Sequence, residues 1–164
     1  MEWLLYIFAI AFCSIILYSM RQGAIFLPSH SQAVLKIVQA SGAGPGRKIV
    51  DLGSGDGRLV IALAKTGAQV DGFEINPILI WWSRLRIKKT GLVDRARIYQ
   101  RNFWSVNLSE YDTVVLFGTT HIMQRLENKL KSELHKGSLV VSNVFQFPGL
   151  EEMKNDKGIY VYRI

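Results

Sequence analysis

The sequence predicts an α/β protein in which a doubly wound, mostly parallel sheet follows an N-terminal transmembrane helix. Three observations support this prediction. Short apolar runs typical of strands alternate with helical patterns from about residue 48 onward, as in βαβ units. Glycines cluster where the first strand gives way to a helix. An uncharged, apolar run from Trp3 to Met20 precedes everything else.

The N-terminal run has about the minimum length that crosses a bilayer as a helix. Aromatic residues near the ends of this run could anchor it at the two membrane–water interfaces, namely Trp3, Tyr6 and Tyr18. The charge ahead of the run is Glu2, and no small-x-small cleavage pattern follows it, so an uncleaved anchor is favoured over a signal peptide. Basic residues from Arg21 onward predict a single-pass membrane protein whose C-terminal domain is cytoplasmic.

Three segments are therefore expected. Residues 1–22 form the anchor, residues 23–46 form a lead-in segment that includes a helix from Ser31 to Ser41, and residues 47–164 form the domain. The single cysteine, Cys13, lies inside the apolar run. This excludes an intramolecular disulfide and a thiolate metal cluster, and we expect no metal site. It also excludes the cysteine nucleophile that methylation at C5 of cytosine requires.

A glycine-rich turn follows the first strand of the domain. Glycine is needed where the backbone reverses with positive φ or where a ligand approaches the main chain closely. A strand, such a turn and the helix that starts at Arg58 together form a polar notch of ligand size. The candidate cofactor-binding residues in this stretch are Asp51, Gly53, Ser54, Gly55, Asp56 and Gly57.

The spacing of the turn separates two ligand classes. A dinucleotide site needs Gly-x-Gly-x-x-Gly, but the sixth position here is Arg58. Asp51 and Asp56 would repel a pyrophosphate, whereas a sulfonium that also carries an ammonium group would tolerate them. Glu74 ends the next strand, where a carboxylate can accept hydrogen bonds from both ribose hydroxyls. The sequence thus predicts an S-adenosylmethionine (SAM) site, with Ile75 and Asn76 in the loop after Glu74.

The remaining elements alternate along the chain. Strands are predicted over 69–73, 96–100, 113–117, 139–144 and 158–164, and helices over about 76–90 and 122–134. About twenty residues after the fifth strand are too few for both a further helix and a terminal hairpin. We therefore expect a sheet that is shortened at its C-terminal side and closed by one last strand, antiparallel at an edge or beside the fifth strand, which leaves the site open.

Basic residues cluster between Arg84 and Arg101. Such a run is typical of a solvated helix face, but it also fits attraction to anionic lipid head groups or to nucleic acid. Trp81 and Trp82 precede this run on the same predicted helix, and we expect them to pack in the interior rather than to form a ligand cage.

Several motifs occur in an order that resembles one branch of SAM-dependent methyltransferases. They are Phe26-Leu-Pro28-Ser29, Asp51-x-Gly-x-Gly-x-Gly57-Arg58, Glu74-x-Asn76-Pro77, Asn102-Phe-Trp104 and Val115-Leu-Phe-Gly118. The chain resembles the small membrane-associated lysine methyltransferases that modify the ATP synthase c-subunit and the adenine nucleotide translocase, and their prokaryotic relatives. The resemblance implies the Rossmann-like methyltransferase fold and methylation of a lysine in a membrane-associated protein. It also implies that Asn102, which replaces an acidic residue, meets the adenine amino group.

Aromatic side chains at the ends of the third and fourth strands can desolvate a lysine amine. The candidate catalytic residues are Phe103, Trp104 and Phe117, with Asn102 and Thr119 orienting the substrate, and Phe103 and Asn102 also near the cofactor. A methyltransferase acting on a lipid, a small molecule or RNA remains an alternative, as does a non-catalytic membrane scaffold. The Phe-Gly-Thr-Thr sequence from Phe117 lacks the Pro-Pro motif of enzymes that methylate exocyclic amines of bases, which argues against nucleic acid.

Overall fold

The structure, a computed structural model, describes residues 31–164 together with Trp3, Tyr6, Ile7 and Ile10. Apart from those four residues, which are helical and exposed, the predicted anchor and the lead-in segment up to residue 30 lie outside the described residues. No helix within the described part of the chain is both long enough and apolar enough to cross a membrane.

Seven strands and four α-helices make up the described chain. The helices are α1 (Ser31–Ala40), α2 (Arg58–Ala64), α3 (Pro77–Lys89) and α4 (Thr120–Glu133), and a 3₁₀ turn spans Phe103–Ser105. The strands are β1 (Lys48–Leu52), β2 (Gln69–Glu74), β3 (Ala96–Gln100), β4 (Thr113–Leu116), β5 (Leu139–Asn143), β6 (Glu152–Asp156) and β7 (Ile159–Arg163). They form one sheet in the order β3-β2-β1-β4-β5-β7-β6.

The predicted architecture is confirmed for the first five strands. β1 to β5 are all parallel, and the chain winds outward in both directions from the β1–β4 pair. The strands at the centre are buried on both faces, because helices and loops cover the sheet on either side. β4 therefore reads as an apolar run after Thr113, and in β1 the buried Asp51 interrupts the run of Ile49, Val50 and Leu52.

The predicted closing strand over 158–164 is present as β7, antiparallel beside β5, but the prediction did not include the additional strand β6. The chain forms an antiparallel hairpin after β5, in which β7 pairs with β5 and β6 pairs with β7. The stretch between β5 and β6 contains no helix in this structure, so the residues that were too few for a helix and a hairpin are sufficient for the hairpin alone. β6 escaped prediction because its sequence is polar and its residues are mostly exposed, as befits an edge strand.

Two apolar clusters fill the two faces of the sheet. One lies beneath α4 and includes Leu52, Phe73, Leu116 and Leu126. The other lies beneath α2 and α3 and includes Ile49, Val60, Ile80 and Ile98. α1 also belongs to this second side, since Ile37 is buried there. The helix of the predicted lead-in segment is thus part of the domain.

α3 differs from the prediction in one respect. Trp81 and Trp82 do not pack in the interior, because 64 % and 50 % of their surfaces are exposed. The residues that face the sheet are Ile80, Ser83 and Ile87.

The register of the parallel strands brings four loops to one edge. Leu52 pairs with Phe73 on one side and with Leu116 on the other. The turn after β1, Glu74 at the end of β2 and Phe117 after β4 are therefore neighbours. Glu74 pairs in turn with Gln100 of β3, which places Asn102 at the same edge. Ligands in open parallel sheets bind at this carboxyl edge.

Candidate functional site

The glycine-rich turn after β1 depends on backbone angles that other residues rarely adopt. Gly53, Gly55 and Gly57 all have positive φ, at 87°, 54° and 74°. The turn is fastened to β2, since the amides of Gly53 and Ser54 both donate to the carbonyl of Phe73, at 2.9 and 3.0 Å. The three glycines predicted to shape the turn are therefore required by its conformation.

Glu74 links the turn to the loop after β2. Its Oε2 accepts a hydrogen bond from the amide of Gly55 at 3.0 Å, and its Oε1 accepts from the amides of Ile75 and Asn76 at 2.8 Å each. The side chain is buried. The structure thus brings Glu74 and Gly55 into direct contact at the carboxyl edge.

Asp51 lies beneath this turn at the end of β1, fully buried. Burial, and then the nearby carboxylates of Glu74 and Asp56, raise its pKa from 3.8 to about 7. A bound cation would favour the ionised form of Asp51. The concentration of acidic groups around a glycine-rich turn fits a positively charged ligand and does not fit a pyrophosphate.

Asp56 has a different environment from the other two carboxylates. Arg58 donates to both of its oxygens at 2.8 to 3.1 Å, and Nη1 of Arg86 lies 2.6 Å from its Oδ2. These partners hold the pKa of Asp56 below its ordinary value, although burial opposes them. Asp56, predicted to bind cofactor, uses its carboxylate in this structure to fasten the turn to α2 and α3.

Close packing is a second requirement for glycine at Gly57, and it also explains Gly72 in β2. A Cβ at Gly57 would lie 2.8 Å from the Cβ of Ser83, so α2 and α3 approach each other closely here. A Cβ at Gly72 would lie 2.6 Å from Ile98 and 2.7 Å from Ser54. The Ser54 side chain lies close to Gly72 of β2, and its buried Oγ has no hydrogen-bond partner among the described residues.

The loop after β2 is organised by Asn76. Its side-chain oxygen accepts from the amides of Ile78 and Leu79, at 3.0 and 3.4 Å, and Pro77 occupies the first helical position. Asn76 therefore caps α3 with its side chain and contacts Glu74 with its backbone. Ile75 likewise contributes its amide to Glu74, which fixes the loop that a nucleoside would meet.

The residues after β3 form a compact turn. Asn102 Oδ1 accepts from the amide of Trp104 at 3.1 Å. Phe103 is only 8 % exposed and belongs to the core beneath α4, which leaves little of its ring to contact a substrate. Trp104 is half-buried, and its ring centroid lies 4.9 Å from that of Phe103. The guanidinium of Arg125 lies 4.2 Å from the centroid of the Trp104 ring. Trp104 is thus the aromatic residue of this turn that reaches the surface.

The residues after β4 face the loop after β5. Phe117 is half-buried and meets Phe145 edge to face, with ring centroids 5.7 Å apart. Thr119 precedes α4, and its Oγ1 lies 3.1 Å from Nδ1 of the exposed His121. Phe117 therefore lines this edge together with a residue that sequence analysis did not select.

Phe145 belongs to a loop that sequence analysis missed. Val144, which precedes it, is 53 % exposed and has a φ of 74°, a conformation rare for a β-branched residue. Its amide donates to the carbonyl of Gly158 at 2.7 Å. Further along, Glu127 of α4 accepts from the amide of Gly149 at 2.8 Å. The sequence does show an apolar stretch after the predicted fifth strand, which could have indicated this loop. Nothing in the sequence indicates the positive φ of Val144.

The described residues contain no group of three or more His, Cys, Asp or Glu side chains placed to hold a metal ion. The site is thus built from a glycine-rich turn, buried carboxylates and aromatic side chains at one edge of the sheet.

Comparisons with known proteins agree with this geometry. The chain is 42 % identical over 125 residues to the ATP synthase c-subunit lysine N-methyltransferase of Rattus norvegicus, covering 75 % of this chain and 56 % of that protein. It spans about half the length of the first curated relatives that it matches. It is 31 % identical over 149 residues to a protein-lysine N-methyltransferase of Saccharolobus islandicus, covering 85 % of this chain and 92 % of the relative.

A solved structure of an RNA methyltransferase from Salinibacter ruber, in complex with S-adenosyl-L-homocysteine, superimposes with a TM-score of 0.78. It is 31 % identical and covers 84 % of this chain and 92 % of its own. A family model described as the ANTKMT methyltransferase domain matches residues 51–154, which is more than half of the chain. The chain therefore belongs to the ANTKMT methyltransferase domain family.

Proposed function

We propose that this chain is a SAM-dependent methyltransferase that modifies a lysine side chain of a membrane-associated protein. The observation that carries the proposal is the contact between Glu74 and Gly55, which joins a ribose-binding carboxylate to a glycine-rich turn. Family membership supports the reaction class, and the archaeal relative named for protein-lysine methylation matches over nearly its whole length. That relative also supports a prokaryotic type of enzyme.

The residues at the carboxyl edge fit SAM. Glu74 retains acceptor capacity for a ribose hydroxyl beyond its three amide partners, since a carboxylate offers about four lone-pair sites. The main chain of Gly53 to Gly57 would approach the ligand closely. The buried, acidic surroundings of Asp51 suit a ligand with an ammonium and a sulfonium. Asn102 would accept from the adenine amino group.

SAM, when bound, supplies an electrophilic methyl group next to a positive sulfur. The protein then has to align the amine with that methyl group and exclude water. A lysine amine has an ordinary pKa near 10.4, so its deprotonation at pH 7 costs about 4–5 kcal/mol. Burial of the ammonium near another positive charge lowers that pKa. Trp104, Phe117 and Phe145 are the aromatic residues that we assign to this apolar wall, with Thr119 beside them.

Membrane association is part of the proposal. The run from Trp3 to Met20 is uncharged, and Trp3, Tyr6, Ile7 and Ile10 are helical with large exposed side chains at i, i+3, i+4 and i+7. We propose that residues 1–22 anchor the protein and that the domain lies on the cytoplasmic side. Tethering raises the effective concentration of a substrate in the same membrane without new contacts.

RNA is the second candidate substrate, because the Salinibacter ruber structure is described as an RNA methyltransferase. The absence of a Pro-Pro motif after β4 disfavours the base-methylating classes that rely on it. The two candidates differ in where the transferred methyl group is found.

The test is to supply the purified full chain with SAM that carries a labelled methyl group, in the presence of a membrane fraction and of cellular RNA. We expect label on protein lysines, identified by mass spectrometry, and little in ribonuclease-sensitive or solvent-extracted lipid material. Glu74→Gln is expected to weaken SAM binding at least tenfold, since hydrogen bonds to a charged group contribute about 1.5–3 kcal/mol. Glu110→Gln, which alters an exposed carboxylate, is the matched control.

Label in RNA or lipid with unmodified lysines would overturn the substrate assignment. Undetectable SAM binding by calorimetry would instead favour the non-catalytic scaffold.

A further inference from the structure

The outer side of α3 carries an apolar stripe for which the described fold offers no cover. We call this side of the helix the α3 outer face. It is defined by six residues, of which four are apolar and the last two are lysines: Ile78, Trp81, Trp82, Leu85, Lys88 and Lys89. Its first four members follow the spacing i, i+3, i+4, i+7, which normally marks the buried side of a helix. Here the opposite stripe, with Ile80 and Ile87, already packs against the sheet. α3 is therefore apolar on two sides.

The exposure of this face is large for bulky side chains. Ile78 is 58 % exposed, Trp81 is 64 % exposed and Trp82 is 50 % exposed. The two indole rings lie 6.3 Å apart at an angle of 50°, so they spread over the surface instead of stacking. Contiguous exposed apolar residues of this kind mark interaction surfaces.

The basic residues of α3 have two different environments: the arginines bind other parts of the fold, and the lysines are exposed. Arg84 donates to the carbonyl of Ile98 at 2.8 Å, and Arg86 is bound to Asp56, so the two flanking arginines hold the helix in place. Lys88 and Lys89 are exposed and lie beyond the C-terminal end of the apolar stripe, on the same side of the helix. α3 contains no acidic residue, and Asp94 is the one acidic residue between positions 75 and 109.

These features distinguish between kinds of partner. Protein interfaces are depleted in lysine, whereas lysine and tryptophan together are typical of helices that lie in a membrane interface. Single-stranded RNA is bound in a groove with flat aromatic platforms. The α3 outer face is instead convex, and aliphatic Ile78 and Leu85 lie among its aromatic residues. The lysines complement an anionic surface.

We propose that the α3 outer face docks on an anionic lipid bilayer, with the indoles at head-group depth and the lysines among the phosphates. The helix is about 20 Å long and begins three residues after Glu74. Docking would hold the carboxyl edge of the sheet beside the bilayer surface. This docking is independent of the proposed methyl transfer and of the N-terminal anchor.

Tryptophan fluorescence of the full chain tests the proposal. The chain has four tryptophans, so Trp3→Phe and Trp104→Phe leave emission from Trp81 and Trp82 alone. The protein is mixed with vesicles of phosphatidylcholine, with or without phosphatidylglycerol. In anionic vesicles we expect a blue shift, quenching by lipids brominated on their acyl chains, and protection from acrylamide. Added salt should weaken all three.

A charge-matched pair of variants separates specific docking from general attraction. Lys88→Gln with Lys89→Gln is expected to lower the ratio of docked to undocked α3 about thirtyfold at low salt. Lys65→Gln with Lys136→Gln removes the same charge from two exposed residues outside the α3 outer face and should leave the ratio unchanged. Equal behaviour of the two pairs would overturn the proposal. So would unchanged acrylamide quenching with anionic vesicles, or quenching by an RNA oligonucleotide without any response to vesicles.

Discussion

Arg86 of α3 contacts Asp56 of the glycine-rich turn twice, with Nη1 2.6 Å from the carboxylate and 3.1 Å from the main-chain carbonyl oxygen. This contact joins two segments thirty residues apart in the chain. It makes the position of the turn depend on α3, whose N-terminal cap, Asn76, also contacts Glu74. The turn and the loop after β2 are thus held as one unit.

Replacing Arg86 with glutamine should loosen this unit. We expect the free energy of unfolding to fall by about 1 kcal/mol, because Arg58 still pairs with Asp56 and the ion pair is partly exposed. SAM affinity should fall as well, since the turn becomes more mobile. Urea unfolding and calorimetry measure the two effects. Arg95→Gln, at an exposed position, should change neither.

Asp51 predicts an unusual dependence of stability on pH. Its pKa is about 7 in the folded protein and near 3.8 in the unfolded chain. The folded protein therefore binds one more proton between these values, and the free energy of unfolding falls as the pH rises from about 4 to 7. Between pH 5 and 7.5 this contribution is on the order of 2–3 kcal/mol.

Asp51→Asn should remove this contribution. Unfolding curves of the variant and the wild type at pH 5 and at pH 7.5 measure the difference. A cationic ligand reverses the effect by ionising Asp51, so SAM should bind more tightly as the pH rises through 7. An Asp51→Asn protein with the same pH profile as the wild type would contradict the assigned pKa. Asp94→Asn is the control, because Asp94 is exposed.

Gly72 should not tolerate a methyl group. Alanine would bring its Cβ within 2.6–2.8 Å of the side chains of Ile98 and Ser54, which are both buried. We expect Gly72→Ala to destabilise the protein by about 1–3 kcal/mol, as overpacking of a core does. Gly44→Ala is the natural control, since no atom lies within 4 Å of its added Cβ. Thermal unfolding of both variants would decide the matter.

Val144 should show the opposite behaviour. Its positive φ is strained for a β-branched residue, and glycine relieves that strain at some cost in chain entropy. We expect Val144→Gly to stabilise the protein by about 0.5–1 kcal/mol. If the loop helps to hold the methyl acceptor, as Phe145 beside Phe117 suggests, turnover should drop while SAM affinity stays constant. Loss of stability would show that contacts of the valine side chain outweigh the strain.

Much of this architecture follows from local patterns. The glycines of the turn and the acid at the end of β2 could be placed because each performs a local task that few residue types perform. The parallel sheet could be predicted because its buried strands read as apolar runs. The bounds of the predicted strands differ from the observed ones by no more than one residue at either end.

The parts that escaped prediction depend on contacts between distant segments. Arg86 looked like one member of a basic run, and its pairing with Asp56 appears only when α3 packs beside the turn. Trp81 and Trp82 were expected inside because tryptophan is apolar, but Ile80 and Ile87 already occupy the side of α3 that faces the sheet. β6 lacks apolar alternation because one of its edges and most of its side chains face solvent.

β7 occupies an interior place in the sheet, between β5 and β6, although it follows both of them in the chain. During synthesis on the ribosome, β5 therefore lacks its second neighbour until residues 159–163 have emerged. Its open edge presents unpaired amides and carbonyls to other nascent chains in the meantime. A message truncated before the codon for Ile159 would yield a polypeptide with every turn of the cofactor notch but with this edge uncovered. We expect such a product to be bound by chaperones and degraded by proteases rather than to be a partly active enzyme.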